Sequence, residues 1–244
     1  MEDAHSVIPC LNDDPGVFYA SVFDGHGGRE TADFVNAHLP KNLINALSSG
    51  EMETIEQCLE YAYYFTDIES KNEDMKNSGS AGVTILLLNE EDQRVLYSAN
   101  AGDSRSVLFA DGKTIRLSYD HKASDPAEEK RITDLGGVIM NKRVFGILAV
   151  SRSFGDHSYK RYVTARPYIT RTELSEDAEF VVVACDGVFD VLSDEDVTRL
   201  VKTEAKEGRL ASCAEKIIQE AVDHGSTDNI TAIVVGLKPV EQWS

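Results

Sequence analysis

Three aspartates stand where apolar runs stop. Asp24 follows VFYASVF, Asp186 follows EFVVVAC, and Asp228 precedes the apolar run ITAIVVGL. A strand end is a rigid place from which to aim a carboxylate, and carboxylates gathered at one point repel each other unless a cation lies between them. Oxygen-only ligands select hard cations, Mg²⁺ or Mn²⁺, over zinc. In Asp24-Gly25-His26-Gly27-Gly28 the glycines let the backbone approach an ion, and a glycine carbonyl can itself be a ligand. Taken singly, Asp24 is equally well read as a polar turn beside a strand, and for Asp186 and Asp228 a turn is the commoner reading. The shared pattern carries more: acids at strand boundaries spread along the chain, with Asp103 between two strand-like halves and Asp190 one turn after Asp186.

Other polar residues read as structural. Ser193-Asp194-Glu195-Asp196 has the form of a helix start, with Ser193 as cap and anions at the positive end of the dipole. Asn89-Glu90-Glu91-Asp92 reads as a solvated loop. His38, His121, His157 and His224 have no partner at zinc-motif spacing. Cys185 lies beside Asp186 but in no Cys-x5-Arg loop, so it reads as a buried strand residue.

Strands and helices must position these acids. VFYASVF predicts a strand ending at the glycines. A helix follows with Ala32, Val35, Leu39 and Leu43 in register, which Pro40 is expected to kink or split. A second helix is predicted over roughly Met52 to Glu73. GVTILLL, RVLYSAN and SRSVLFA are strand-like, Asp111-Gly112 marks a hairpin before KTIRLS, and PAEEKRITDLGG is a short helix with Pro126 near its start. RVFGILAV, YITRTEL and EFVVVAC read as extended. Two late helices start at Ser193 and near Leu210, and NITAIVVGL closes as a strand. Strands in runs, not alternating with helices, predict an α+β chain: a central antiparallel β-sandwich flanked by helix pairs on both outer faces.

The 244 residues, 42% hydrophobic and 27% charged, fit a single domain over 1–244 with a sizeable core. A formal charge of −18 disfavours nucleic acid and anionic lipid and concentrates divalent cations. No signal-peptide pattern and no apolar run long enough for a membrane span is present, and four scattered cysteines without a CxxC pair read as reduced thiols. A cytoplasmic location, with the nucleus as the alternative, is the expectation.

Met1-Glu2-Asp3-Ala4-His5, Phe23-Asp24-Gly25-His26-Gly27-Gly28, Ser78-Gly79-Ser80-Ala81, Asn100-Ala101-Gly102-Asp103-Ser104-Arg105, Asp120-His121-Lys122, Leu148 to Asp156 (LAVSRSFGD), Ala184-Cys185-Asp186-Gly187 and Thr227-Asp228-Asn229 resemble, in order, the motifs of the type 2C (PPM) protein phosphatases. The resemblance spans almost the whole chain. It implies hydrolysis of phosphoserine and phosphothreonine in phosphoprotein substrates by a dinuclear Mg²⁺ or Mn²⁺ centre that activates water. By the same resemblance, Asp24 bridges two metals, Asp186 and Asp228 complete one, and Glu2 with the Gly25 carbonyl serves the other. Asp3 matches a residue near the waters around the metals, His26 the general acid, and Asp103 with Asp190 a weaker third metal site.

The family's usual first strand, with its phosphate-binding arginine ahead of Met-Glu-Asp, has no counterpart in these residues. That raises the alternative of a catalytically weak, phosphatase-like binding module, and the expectation of self-association through an open sheet edge. Arg29 and Arg152 are the arginines considered as substitutes. A calcium-binding structural domain is a third reading, without an EF-hand loop to support it.

Overall fold

The computed structural model describes residues 1–71 and 77–243. In chain order the strands are β1 (Ala4–Ile8), β2 (Phe18–His26), β3 (Gly79–Glu90), β4 (Gln93–Ala101), β5 (Arg105–Ala110), β6 (Lys113–Arg116), β7 (Ile139–Met140), β8 (Arg143–Val144), β9 (Phe154–Gly155), β10 (Tyr168–Glu173), β11 (Ala178–Ala184) and β12 (Ala232–Gly236). The helices are α1 (Glu30–Ser49), α2 (Ile55–Glu69), α3 (Pro126–Asp134), the single turn α4 (Asp186–Phe189), α5 (Asp194–Lys206) and α6 (Cys213–Asp223). One antiparallel sheet has the order β1-β2-β3-β4-β10, with β9 added to the start of β3. The other has the order β12-β11-β5-β6, and β7-β8 form a separate small hairpin. The sandwich expected from the sequence is the one observed.

Apolar layers lie on both faces of each sheet. Between the sheets Val22, Val83, Ile85 and Leu96 meet Leu108, Val181, Val183 and Ile233. Outside the first sheet Tyr19, Phe23, Leu86 and Tyr97 pack on Val35, Leu39 and Leu43 of α1 and on Leu59 and Tyr63 of α2. Outside the second sheet Phe180 and Val182 pack on Val197 and Val201 of α5 and Ile217 of α6. Alternate residues of β11 thus enter different layers, and both are dry. That is why its sequence is an unbroken apolar run instead of an alternating one.

Local signals explain most boundaries. Thr54 caps α2 by accepting from the Gln57 N–H (3.3 Å), and Ser193 with Asp196 closes a full capping box on α5. Asp194 does more than complement a dipole: its carboxylate accepts from Arg105 (3.0 Å) and Arg116 (2.6 Å), tying α5 to the second sheet. Pro40 neither ends nor splits α1, which runs on to Ser49. Leu39 and Leu43 are buried against the first sheet and Pro40 is buried between them, and packing on both sides of the proline outweighs its lost hydrogen bond. The expected end of α2, near Glu73, falls outside the described residues; α2 stops at Glu69. RVFGILAV is extended only at Arg143–Val144, because Phe145 takes a left-handed backbone (φ 51°) that turns the chain. The strand β1 has no forecast in the sequence: exposed His5 and Val7 dilute its pattern, and pairing with β2 makes it a strand.

The second edge of β12 has no strand partner among the described residues. The segment between β6 and β10 carries its own small core, Ala123, Ile132, Val144, Leu148 and Val163. It is pinned by Glu128 of α3, which accepts from Arg131 (2.9 Å), Ser151 (2.8 Å) and Arg152 (2.8 Å). Burial alone would raise the Glu128 carboxyl, but Arg152 and Arg131 hold it down to about 2. Since its folded-state pKa is below the ordinary 4.5, its contribution is complete above pH 4.5 and is lost as pH falls toward 2. About 3 kcal/mol of stability at most should go over that window. Urea unfolding from pH 5 to 2 checks this: Glu128→Gln should be less stable at pH 5 yet lose less on acidification, and an unchanged acid limb would contradict it.

Candidate active site

Antiparallel pairing brings the right strand ends to one rim. The register Ala4↔Phe23 sets the residues before β1 beside the end of β2, so Glu2 lies against Gly25. The ends of β4 and β11 and the starts of β3, β5 and β12 share that side. There a cavity of about 640 Å³ opens, lined on its acidic side by Glu2, Asp24, Asp103, Asp186 and Asp228, together with Gly25 and His26. Arg143, Ile147, Leu148 and Val150, from the segment after α3, line it as well. Residues separated by more than 200 positions thus meet in one hollow.

Each acid is held differently. The Glu2 N–H donates to Asn229 Oδ1 (2.8 Å), and Thr231 donates to Asp3 Oδ2 (2.7 Å), so the first residues are tied to the start of β12. Asp3 is buried beside the cavity and not in its wall. Asp186 starts the turn α4, and its neighbour Gly187 lies so close to the Asn229 carbonyl that a Cβ there would sit 2.1 Å from the oxygen. Gly25 is as tight against the Glu2 carbonyl, at 2.4 Å. The Asn229 N–H is held by Asp228 Oδ1 (2.7 Å).

The electrostatics are lopsided. Burial, then the charge of Asp186, pushes the Asp24 carboxyl far up, and burial raises Asp186 too. Asp3 and Asp103 are raised for the same reasons, burial first and neighbouring aspartates after it. One oxygen of Asp186 and one of Asp3 are buried without any hydrogen-bond partner. Carboxylates so placed lack what a buried anion needs, a counter-charge or donors, and a hard divalent cation supplies the first. Among the described residues, no three His, Cys, Asp or Glu side chains are already closed around a single point. The fit is therefore one of donor chemistry and unmet need at the rim, not of a finished cage.

Asp190 stands outside the cavity wall. Its carboxylate accepts from Lys122 Nζ (2.7 Å), which also lies 3.7 Å from Asp103. Lys122 thus already supplies positive charge between the two residues matched to a third metal. His26 Nε2 contacts Asp156 Oδ2 at 2.8 Å. Burial lowers the His26 pKa, but the hydrogen bond and charge of Asp156 outweigh it, and the net direction is up. Neither arginine considered from the sequence faces the cavity: Arg29 pairs with Asp33 on the surface of α1, and Arg152 is locked to Glu128. Arg143 does line it, spending one nitrogen on the Ile147 carbonyl (2.6 Å). Arg143 and Asp156 were not legible as site residues, since both reach the cavity only through the folding of the segment after α3.

A two-sheet sandwich whose rim gathers oxygen donors, a histidine and an arginine around one hollow suits the binding of hard cations and anionic groups. Comparison with known proteins narrows this. The protein phosphatase 2C family model matches residues 1–230. The chain is 36% identical to protein phosphatase 2C homolog 1 of Saccharomyces cerevisiae, over 97% of this chain and 88% of that protein. It is 37% identical to protein phosphatase 2C homolog 1 of Schizosaccharomyces pombe, over 97% and 69%. Among solved structures it superposes on a C. elegans sex determining protein with a TM-score of 0.86 at 26% identity, covering 98% of this chain and 62% of that one. A serine-threonine phosphatase 2C from Toxoplasma gondii shares the fold, with a TM-score of 0.85 at 22% identity over 97% and 90%. The chain belongs to the protein phosphatase 2C family, and protein dephosphorylation is its chemistry.

Gly187→Ala tests how the rim is built. The added methyl must push the Asn229 carbonyl away from the Asp186 turn, moving Asp186 and Asp228 apart. Manganese affinity measured by calorimetry should fall about 10-fold or more, the scale seen when ligand orientation is disturbed. Wild-type affinity in a folded variant would show that the two acids are not positioned by this contact.

Proposed function

We propose that the chain removes phosphate from phosphoserine and phosphothreonine in protein substrates, with Mg²⁺ or Mn²⁺ held at the rim and His26 as general acid. Asp24, Asp186, Asp228, Glu2 and the Gly25 carbonyl are the residues to hold two cations, and Asp103 with Asp190 a weaker third. The observation that carries this reading is the unpartnered, buried oxygen of Asp186 in a cavity where Asp24 is crowded by the same carboxyl. When bound, such cations lower the pKa of water and offset charge on the phosphoryl oxygens.

The chain's own residues supply the remainder. Arg143, which makes one hydrogen bond among the described residues, is placed to meet a phosphate or a neighbouring acidic side chain of the substrate. Ile147, Leu148 and Val150 give the cavity an apolar stretch of wall against which a substrate side chain can pack. Asp3, tied by Thr231, steadies the residues around Glu2. His26 holds a proton at the cavity wall and can pass it to the departing serine or threonine oxygen. Of the rim acids, Asp103 has Lys122 beside it at 3.7 Å, while Glu2, Asp24, Asp186 and Asp228 form no ion pair among the described residues, which favours cation binding over a mere binding module.

Asp186→Asn and Asp228→Asn should each cut Mn²⁺-dependent hydrolysis of a phosphothreonine peptide by about 100-fold or more, since groups that only orient a metal's ligands are worth 10–100-fold. Calorimetric Mn²⁺ titration of the same proteins, with a chelator control, reads the metal directly. Wild-type rate and affinity in either variant would end the assignment. The unpaired edge of β12 also supports self-association of this chain. Light scattering across a concentration series should show mass rising with concentration, and a constant monomer mass would dismiss it.

A further inference from the structure

The residues that support His26 hydrogen-bond to none of the rim carboxylates among the described residues, and cation binding there makes no use of them. His26 ends β2, and its register partner on β3 is Gly79; Gly79 is in turn the partner of Gly155 on β9. His26 and Asp156, the residue after Gly155, therefore flank Gly79 from opposite sides. Their side chains meet directly above it, with Nε2 and Oδ2 2.8 Å apart. A Cβ at position 79 would lie 2.2 Å from Asp156 Oδ2 and 2.4 Å from His26 Nε2. Only glycine leaves room for this contact.

Asp156 is itself heavily constrained. Its carboxylate is buried, and the oxygen that meets His26 also accepts from Ser153 Oγ (2.6 Å). Its N–H donates to the Ser78 carbonyl (3.0 Å), and its backbone is left-handed (φ 47°), a conformation a non-glycine residue keeps only when its surroundings demand it. The turn carrying it is clamped by Asp67 of α2. Asp67 Oδ1 accepts from the Gly155 N–H (2.9 Å) and from Lys160 Nζ (2.8 Å), and Lys160 also donates to the Ser153 carbonyl (2.9 Å). The Lys160 side chain is only a quarter exposed, so these hydrogen bonds are partly shielded from water. With Nε2 committed to Asp156, Nδ1 is the ring nitrogen without a hydrogen-bond partner among the described residues, and His26 forms part of the cavity wall.

We propose that Asp156 is a positioning residue for His26: held by Ser153 and the Asp67–Lys160 clamp, it fixes the ring so that Nδ1 is the nitrogen presented to the leaving oxygen. This rests on the acid role of His26 proposed above. A carboxylate on one imidazole nitrogen selects the tautomer and orientation of the other. The role is separate from cation binding, because Asp156 touches none of the rim acids among the described residues.

Asn is the informative substitution, since it is isosteric and tolerates a left-handed backbone. The experiment measures kcat and KM for an alkyl phosphate (a phosphothreonine peptide) and an aryl phosphate (p-nitrophenyl phosphate) in the Mn²⁺-loaded protein. Wild type, Asp156→Asn, His26→Ala, the double variant and Ser153→Ala are compared, each checked for thermal unfolding. General acid catalysis is typically worth ~10²–10⁴-fold, and an aryl oxide scarcely needs the proton. Asp156→Asn should lower kcat on the peptide about 10- to 100-fold and on the aryl ester less than about 3-fold, with KM nearly constant. Ser153→Ala should show a smaller loss of the same selectivity, and the double variant should fall no further than His26→Ala alone. Equal losses on both esters in Asp156→Asn, or losses that multiply in the double variant, would overturn the inference while leaving His26 as the acid. Equal losses on both esters in His26→Ala would overturn the acid role and the inference with it. Should Asp156→Asn not fold, Ser153→Ala decides alone: a selective loss supports the inference, and an unselective or absent effect overturns it.

Discussion

Repulsion among buried carboxylates is the constraint around which this molecule is arranged. Asp3, Asp24, Asp103 and Asp186 are all pushed toward protonation by burial and by one another, and two of their oxygens have no partner. A chain of this composition could relieve the strain by turning any of these residues outward. It does not, because Asp24, Asp103 and Asp186 sit at the ends or starts of strands that are locked in apolar layers, and Asp3 is tied to the start of β12 by Thr231. The energy of packing three layers holds the acids together; the acids contribute little to holding the layers.

The rim is made tight by backbone more than by side chains. Gly25 and Gly187 bring strand ends within contact of the Glu2 and Asn229 carbonyls, and the Glu2 N–H is returned to Asn229. The first residues and the last strand thus depend on one another, although nearly the whole chain lies between them. Metal chemistry depends on that closeness, since hard cations need several oxygens at once.

The residues behind His26 and around α3 obey another logic. There the charges are paired: Glu128 with Arg131 and Arg152, Asp67 with Lys160, Asp156 with His26. Paired charges give rigidity and direction, which suit handling a proton and a substrate side chain, where unpaired acids suit holding a cation. The segment after α3 supplies both the apolar wall and Arg143 from this side, so the cavity joins a cation-seeking half to a substrate-facing half.

Much of this was open to reading in the residues. Apolar runs ending in Asp24, Asp186 and Asp228 forecast strand-end acids, and strands in runs forecast an antiparallel sandwich, because side-chain periodicity and turn chemistry are local properties. Ser193 and Pro126 marked helix starts for the same reason. What no local rule contains is which strand lies beside which. Only pairing made β1 a strand and set Glu2 against Gly25; only buried packing carried α1 through Pro40; only the fold of the segment after α3 chose Arg143 over Arg29 and Arg152. Asp156 became the partner of His26 because β2, β3 and β9 lie side by side with Gly79 between them, 130 residues apart in the chain. Contacts of that span depend on the free energy of the whole packed core, which no short stretch of sequence carries by itself.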